Sequence, residues 1–429
     1  GSIKKAVDEF KKRIELRPDP SITADQKETE EFIRKSIPEE AGLARVIFDP
    51  QRSGVIIEVE KPGVAIGKQG SVLKDIREKT FWVPVVRRTP AIKYELIDNI
   101  RGVLYENNDF RRKFLHNVGE KIYNDWTKGR KQGWVRLTYL GSGRHVGRSC
   151  ILLQTPTSRV LLDCGVDVSA NEDEAYPFFD CPEFKINELD AVIVSHAHLD
   201  HSAIVPLLFK YGYTGPVYCT EPTRDILALL QHDLVKIMKM DGRDPIYTSD
   251  EVKQMVKNTI VVDYDEVTDV TPDVRITLYN AGHILGSAMV HLHIGNGLHN
   301  LLYGADIKYM KSRLLAPAVT RFPRLESLML ESTYGGKDCI MPTREEAENQ
   351  MADLIMKTVE RGGKVLVPVL GSGRAQEIML IVEHLVSSGK MKEIPVYIDG
   401  MVWDITAIHT AYPEYMNQDV RKRIMHKDQ

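Results

Sequence analysis

Seven residues, Ser195-His196-Ala197-His198-Leu199-Asp200-His201, follow directly on the apolar run Ala191-Val192-Ile193-Val194 and constrain this 429-residue chain more than any other stretch. The run predicts a buried strand. A loop at its end with three imidazoles and a carboxylate has the spacing of a two-metal site. Alternate residues of extended chain share a side, so His196 and His198 would meet one cation, and Asp200 and His201 would turn toward a neighbouring one. Imidazole and carboxylate without thiolate suit Zn²⁺, with Mn²⁺ or Fe²⁺ also compatible, and paired ions hydrolyse phosphoesters. The alternative for so short a motif is a His-rich surface loop.

The pattern resembles the metallo-β-lactamase superfamily, whose remaining motifs occur in order. Val160-Leu161-Leu162-Asp163-Cys164-Gly165 fits its strand-end aspartate, and Ala281-Gly282-His283-Ile284-Leu285-Gly286-Ser287-Ala288 its third histidine. Leu302-Tyr303-Gly304-Ala305-Asp306 supplies its bridging aspartate. The resemblance implies that His196, His198, His283 and Asp306 hold one metal, and Asp200, His201 and the shared Asp306 the other. Asp163 would stand behind them, accepting from ligand imidazoles and fixing their tautomer. It also implies an α/β (α+β) fold, the αββα sandwich of that superfamily.

Downstream, Leu328-Met329-Leu330-Glu331-Ser332-Thr333-Tyr334-Gly335 resembles the acidic motif that opens the β-CASP insertion of nucleases in this superfamily. Residues Lys364 to Glu377 also read like β-CASP sequence: a buried strand, the turn Gly371-Ser372-Gly373, then a helix. Backbone amides at such a turn, with Arg374 beside them, would hold a phosphate. By itself the turn would be read as a plain strand-to-helix connection.

The front of the chain predicts a helix over Gln26 to Ser36, strands over Ala44 to Phe48 and Gly54 to Val59, a helix over Ser71 to Lys79, and a strand over Phe81 to Arg88. Between the second strand and the second helix, Gly67-Lys68-Gln69-Gly70 resembles the G-x-x-G loop of KH domains, where the glycines admit the nucleic-acid backbone and Lys68 and Gln69 would contact it. Residues 1–131 carry a net charge of +6 and the remainder −9, within a total of −3. The basic excess thus falls on the proposed RNA-binding part.

The expected organisation is a helical segment over 1–24, a KH domain over 25–90, a helical segment and linker over 91–133, a metallo-β-lactamase domain over 134–330, and the start of a β-CASP domain over 331–429. The first and third segments are also compatible with a second, degenerate KH-like unit. Cys150, Cys164, Cys181, Cys219 and Cys339 form no C-x-x-C pair, which points to a reducing cytoplasm. No apolar segment reaches the length of a bilayer span. His291 and His293 alternate on a predicted strand and are assigned to packing. His145 lies in a Gly-rich turn with substrate contact or solvent exposure both open.

The closest resemblance is to archaeal cleavage-and-polyadenylation-specificity-factor-like ribonucleases with amino-terminal KH domains. It implies a ribonuclease with two Zn²⁺ per complete site, cutting single-stranded RNA internally and trimming it from the 5′ end. The implied setting is RNA 3′-end formation or transcription termination, as a homodimer working with transcription or RNA-processing machinery and with no membrane. Asp200 and Asp306 would orient the attacking water, and Glu331 would position a histidine acid. That histidine and one more metal ligand are expected late in such proteins, yet after Glu331 only His384, His409 and His426 occur, none in the expected context. The chain is therefore read as the front portion of a longer protein. Two other classes stay open: a non-catalytic RNA-binding subunit, and a small-molecule hydrolase of the lactamase fold.

Overall fold

A computed structural model describes residues 17–50, 53–92, 95–124, 133–144, 146–170 and 174–425. The chain divides into two compact units, one of residues up to 93 with 108–112, the other of 94–107 and everything from 113 on.

In the first unit Asp25 caps helix α1 (Gln26–Ser36) by accepting the Lys27 and Glu28 N–H groups, as a short carboxylate does at an N-cap. Strands β1 (Leu43–Asp49) and β2 (Gly54–Val59) pair antiparallel, and β3 (Val83–Arg88) joins β2 in parallel. Ile33, Ile57, Ile76 and Trp82 fill the core under this sheet. The KH order predicted from sequence is present, with one correction. A short helix, α2 (Pro62–Ile66), precedes the Gly67 loop, so the loop joins two helices, α2 and α3 (Ser71–Thr80), where a strand and a helix were expected. Pro62, whose φ is preset for the first helical turn, starts it.

Helices α4 (Glu95–Glu106) and α5 (Asn108–Asn124) follow, and the described residues of 91–124 contain no strand. Most of the segment 1–24 and residues 125–132 lie outside the described residues.

The second unit is built on two facing sheets. The first runs β4 (Arg136–Tyr139), β5 (Ile151–Gln154), β6 (Arg159–Leu162), β7 (Ala191–Ile193), β8 (Val217–Cys219) and β9 (Thr259–Val261) in that spatial order. It is antiparallel up to β6 and parallel from β6 onward. Its parallel half is connected through α6 (Leu199–Ser202), α7 (Val205–Lys210), α8 (Glu221–Met240) and α9 (Ser249–Asn258). Pro206 stands in the first turn of α7, where its missing N–H is not needed. The second sheet orders β10 (Val267–Asp269), β11 (Val274–Asn280), β12 (Ala288–Ile294), β13 (His299–Tyr303) and β14 (Ser327–Met329), the last parallel to β13.

Strand periodicity explains the filling. Val290, Leu292 and Ile294 on β12 face inward with Ile151, Leu153, Leu162 and Ile193 of the other sheet. His291 and His293 fall on the opposite face, His291 packed near Tyr279 and Phe322 and His293 beside His291, as assigned. The first sheet's outer face, through Leu152, Leu161 and Val192, meets Ile97 and Ile100 of α4, Ile226 of α8 and Met255 of α9.

Beyond Glu331 come α10 (Arg344–Glu360), α11 (Arg374–Ser387), α12 (Val402–Ala411) and α13 (Gln418–Met425), and Ile405 and Ile408 of α12 enter the same core. The buried strand expected near Lys364 is absent. Residues 364–370 form no strand, and Leu366 is 91% exposed. A strand needs a neighbour to take its N–H and C=O groups, and none of the described residues pairs with this run. No helix among the described residues is long and apolar enough to cross a membrane.

Candidate metal centre

Strand β7 ends at Ile193, and the loop after it is pinned before α6 begins. Val194 N–H donates to Tyr218 O, Gly165 N–H to Ser149 O, and Cys164 N–H to His201 O. Gly165 is a close-approach glycine: a Cβ there would lie 1.7 Å from Asp200 O and 2.5 Å from His201 N. The end of β6 is thereby pressed flat against the metal loop.

Asp163 is fully buried and holds φ at +58°. Its carboxylate accepts from Ser195 N–H, Ser195 Oγ, His201 Nδ1 and Tyr303 Oη, all at 2.7 Å. Asp163 thus engages one imidazole of the cluster, His201, whose Nε2 is left facing Asp306. His196 is oriented differently, with Nδ1 3.0 Å from Ser195 Oγ. Ser195 and Tyr303 are the supporting residues that sequence reasoning missed. Adjacency to His196 was the one signal for Ser195, and Tyr303 reaches Asp163 across 140 residues.

One ligand atom from each of His196, His198, His283 and Asp306 falls within 4.8 Å of all the others. His283 Nε2 is 3.1 Å from His198 Nδ1 and 3.4 Å from Asp306 Oδ2, and His196 Nε2 is 3.9 Å from that oxygen. His201 Nε2 adjoins from the other side, 3.3 Å from Asp306 Oδ1 and 3.8 Å from Asp200 Oδ2. Asp306 thus stands between two groups of donors.

Burial, with the neighbouring imidazoles, keeps His196 well below the ordinary imidazole range and holds His283 at about 3. At His201 burial opposes the charge, but Asp163 and Asp306 outweigh it and the ring is held well above that range. For Asp306 burial works upward, yet His201 and the other imidazoles bring it to about 2. His196 Nε2 and His198 Nε2 are buried without a hydrogen-bond partner. Buried polar atoms are costly unless something accepts their lone pairs. These nitrogen and oxygen donors fit a divalent transition metal.

Glu331 follows β14, and its carboxylate accepts the Thr333 N–H at 2.8 Å. His409 is buried in α12 with Nδ1 on Ile405 O. Neither joins the donor cluster, and His145 and His426 lie outside the described residues. At the α11 turn, the amides proposed for phosphate are partly engaged: Gly373 N–H donates to Gln376 Oε1 and Arg374 N–H to Ser372 O. The Arg374 side chain is exposed. In the first unit Lys68 and Gln69 are exposed, Gln69 and Gly70 adopt left-handed backbone, and a Cβ on Gly67 would meet Val72 Cγ2 at 2.8 Å.

Sandwich, donor cluster and amino-terminal unit define a metallo-β-lactamase-superfamily protein with β-CASP and KH elements. Residues 152–332 match the metallo-beta-lactamase superfamily domain, 375–429 the Beta-Casp domain and 28–80 the KH domain. The transcription termination factor FttA of Methanocaldococcus jannaschii is 50% identical over 425 residues, covering 99% of this chain and 67% of that protein. FttA of Thermococcus kodakarensis is 49% identical over 432 residues, covering 99% and 66%. The chain belongs to this FttA family of archaeal β-CASP proteins. It spans about two thirds of the length of the curated relatives it matches.

Proposed function

We propose that this chain carries the catalytic centre of a Zn²⁺-dependent ribonuclease that hydrolyses phosphodiester bonds of single-stranded RNA, internally and from the 5′ end, in transcription termination or RNA 3′-end formation. The supporting observation is the four-donor cluster with His201 and Asp200 beyond it, arranged about Asp306. His196, His198, His283 and Asp306 would hold one Zn²⁺, and Asp200, His201 and Asp306 a second, more weakly for want of a fourth residue. When bound, such ions supply Lewis acidity and an acidic water. The chain's own part is orientation: Asp163 locks His201, Ser195 locks His196, and ionised Asp306 stands between them and His283, with Oδ1 3.3 Å from His201 Nε2 and Oδ2 3.4 Å from His283 Nε2. The Gly67-Lys68-Gln69-Gly70 loop would bind the RNA backbone, with exposed Lys68 toward phosphate. The working form is a cytoplasmic homodimer associated with the transcription machinery.

The test is zinc analysis of the purified chain with a time course on labelled single-stranded RNA beside a thioester panel. Expected are about one tightly held zinc, RNA binding, and slow RNA cleavage that Asp200→Ala abolishes. The slowness follows because no described histidine acid reaches the site, at a cost of roughly 10²–10⁴ in rate. Thioester turnover without RNA cleavage would establish the small-molecule hydrolase instead. RNA binding without zinc would establish a non-catalytic subunit.

A further inference from the structure

Beside the donor cluster stand two cations, Lys308 and Arg374. Lys308, two residues after Asp306, is partly buried, and Arg374 opens α11. Among the described residues neither side chain makes an ion pair or hydrogen bond. Nearby arginines behave otherwise: Arg313 and Arg344 both engage Glu348, and Arg344 also Glu377.

The backbone brings the two cations to His283 from two directions. Gly282 packs so closely that a Cβ would sit 2.9 Å from Lys308 O, and Lys308 N–H donates to Ala281 O. On the other flank, a Cβ on Gly373 would lie 2.6 Å from Ile284 Cγ2. Glu377, one turn after Arg374, accepts both Arg313 N–H and Leu314 N–H at 2.8 Å, which ties α11 to the loop that Lys308 begins. Two like charges on segments that both pack against the His283 turn, one of them partly buried, are favoured together by an anion that both can reach. Next in sequence, Tyr309 is 72% exposed, with no aromatic partner among the described residues. A single exposed aromatic is ordinary, but one next in sequence to a cation beside the donor cluster has the make-up of a stacking platform for single-stranded nucleic acid.

We propose that Lys308, Arg374 and Tyr309 form the nucleotide-holding rim of the metal centre: Lys308 and Arg374 grip the phosphate next to the scissile one, and Tyr309 stacks on the base it carries. The proposal rests on the ribonuclease reading and names where its substrate lies.

The experiment uses the 429-residue chain with Gly67→Asp and Gly70→Asp, to suppress RNA binding at the first unit's loop. A fluorescent pentaribonucleotide and its fully abasic counterpart are titrated by anisotropy at several salt concentrations, without added metal. Tyr309→Ala should weaken binding of the pentanucleotide about tenfold and leave the abasic strand unaffected, while Tyr309→Phe binds like the parent. Lys308→Met, which keeps the aliphatic stem, and Arg374→Ala should each lower the salt slope by about 0.7 on both strands. Equal affinities for Tyr309→Ala and parent, or an unchanged salt slope in both cation variants, would overturn the rim. Because these are binding measurements, a chain that binds through the rim yet never cuts RNA would instead refute the ribonuclease reading.

Discussion

Four donors converge on the Asp163 carboxylate, so the ring orientation of the metal centre depends on one fully buried side chain. Tyr303→Phe keeps the ring and removes one donor. A hydrogen bond to a buried charge contributes about 1.5–3 kcal/mol, and that loss should appear in urea unfolding of the apoprotein. Zinc affinity should fall as well, by up to about tenfold, because His201 is held through the same carboxylate. Unchanged stability and unchanged affinity together would show that Ser195 and His201 alone satisfy Asp163. The clustering of four donors was legible because His196, His198, His283 and Asp306 each stand at or just after the end of an apolar run, where a few neighbouring residues single them out. Tyr303 was not, since an inward-facing strand tyrosine resembles any core aromatic until the opposite sheet is placed against it.

At the scale of elements, the junction of β6 with the metal loop depends on the missing side chain at Gly165. Gly165→Ala would drive a methyl into the Asp200 carbonyl, which the loop's hydrogen bonds hold in place. We expect destabilisation of about 3 kcal/mol or more, with loss of bound zinc, read by thermal unfolding and metal analysis. A normal zinc content would mean the loop can retreat. Helix α12 supplies a pH-dependent contribution. Burial holds His409 down to about 4, although its hydrogen bond to Ile405 O acts upward. The fold therefore favours the neutral ring. Its contribution is complete above the unfolded value near 6.5 and is lost as pH falls toward 4, at most about 3 kcal/mol over that window. Unfolding free energies of wild type and His409→Gln should diverge across that interval and run parallel above it; parallel curves throughout would place His409 in contact with water. Amphipathic helices and alternating strands were legible because their own periodicity encodes the face they bury. The apolar run Val365 to Leu370 was misread for the opposite reason: composition marks a segment fit for a sheet, but only a pairing neighbour makes it one.

For the whole molecule, the same run sets the solution behaviour. Leu366 and Tyr397 are 91% and 92% exposed, and Leu328, Leu330 and Leu370 also face solvent. Exposed apolar groups of this size mark association surfaces, and unpaired extended segments add free N–H and C=O groups that a second chain can take. A net charge of −3 spread over 429 residues provides little repulsion to oppose this. The isolated chain should bind a hydrophobic dye and self-associate with rising concentration in light scattering. Leu366→Lys with Tyr397→Lys should reduce both signals several-fold and leave the unfolding midpoint unchanged, because neither side chain is part of a core. Scattering equal to that of the parent would locate the adhesive surface elsewhere. A shifted midpoint would show that these segments fold back onto the molecule in solution, and then the same substitutions should also expose residues 364–370 to proteolysis.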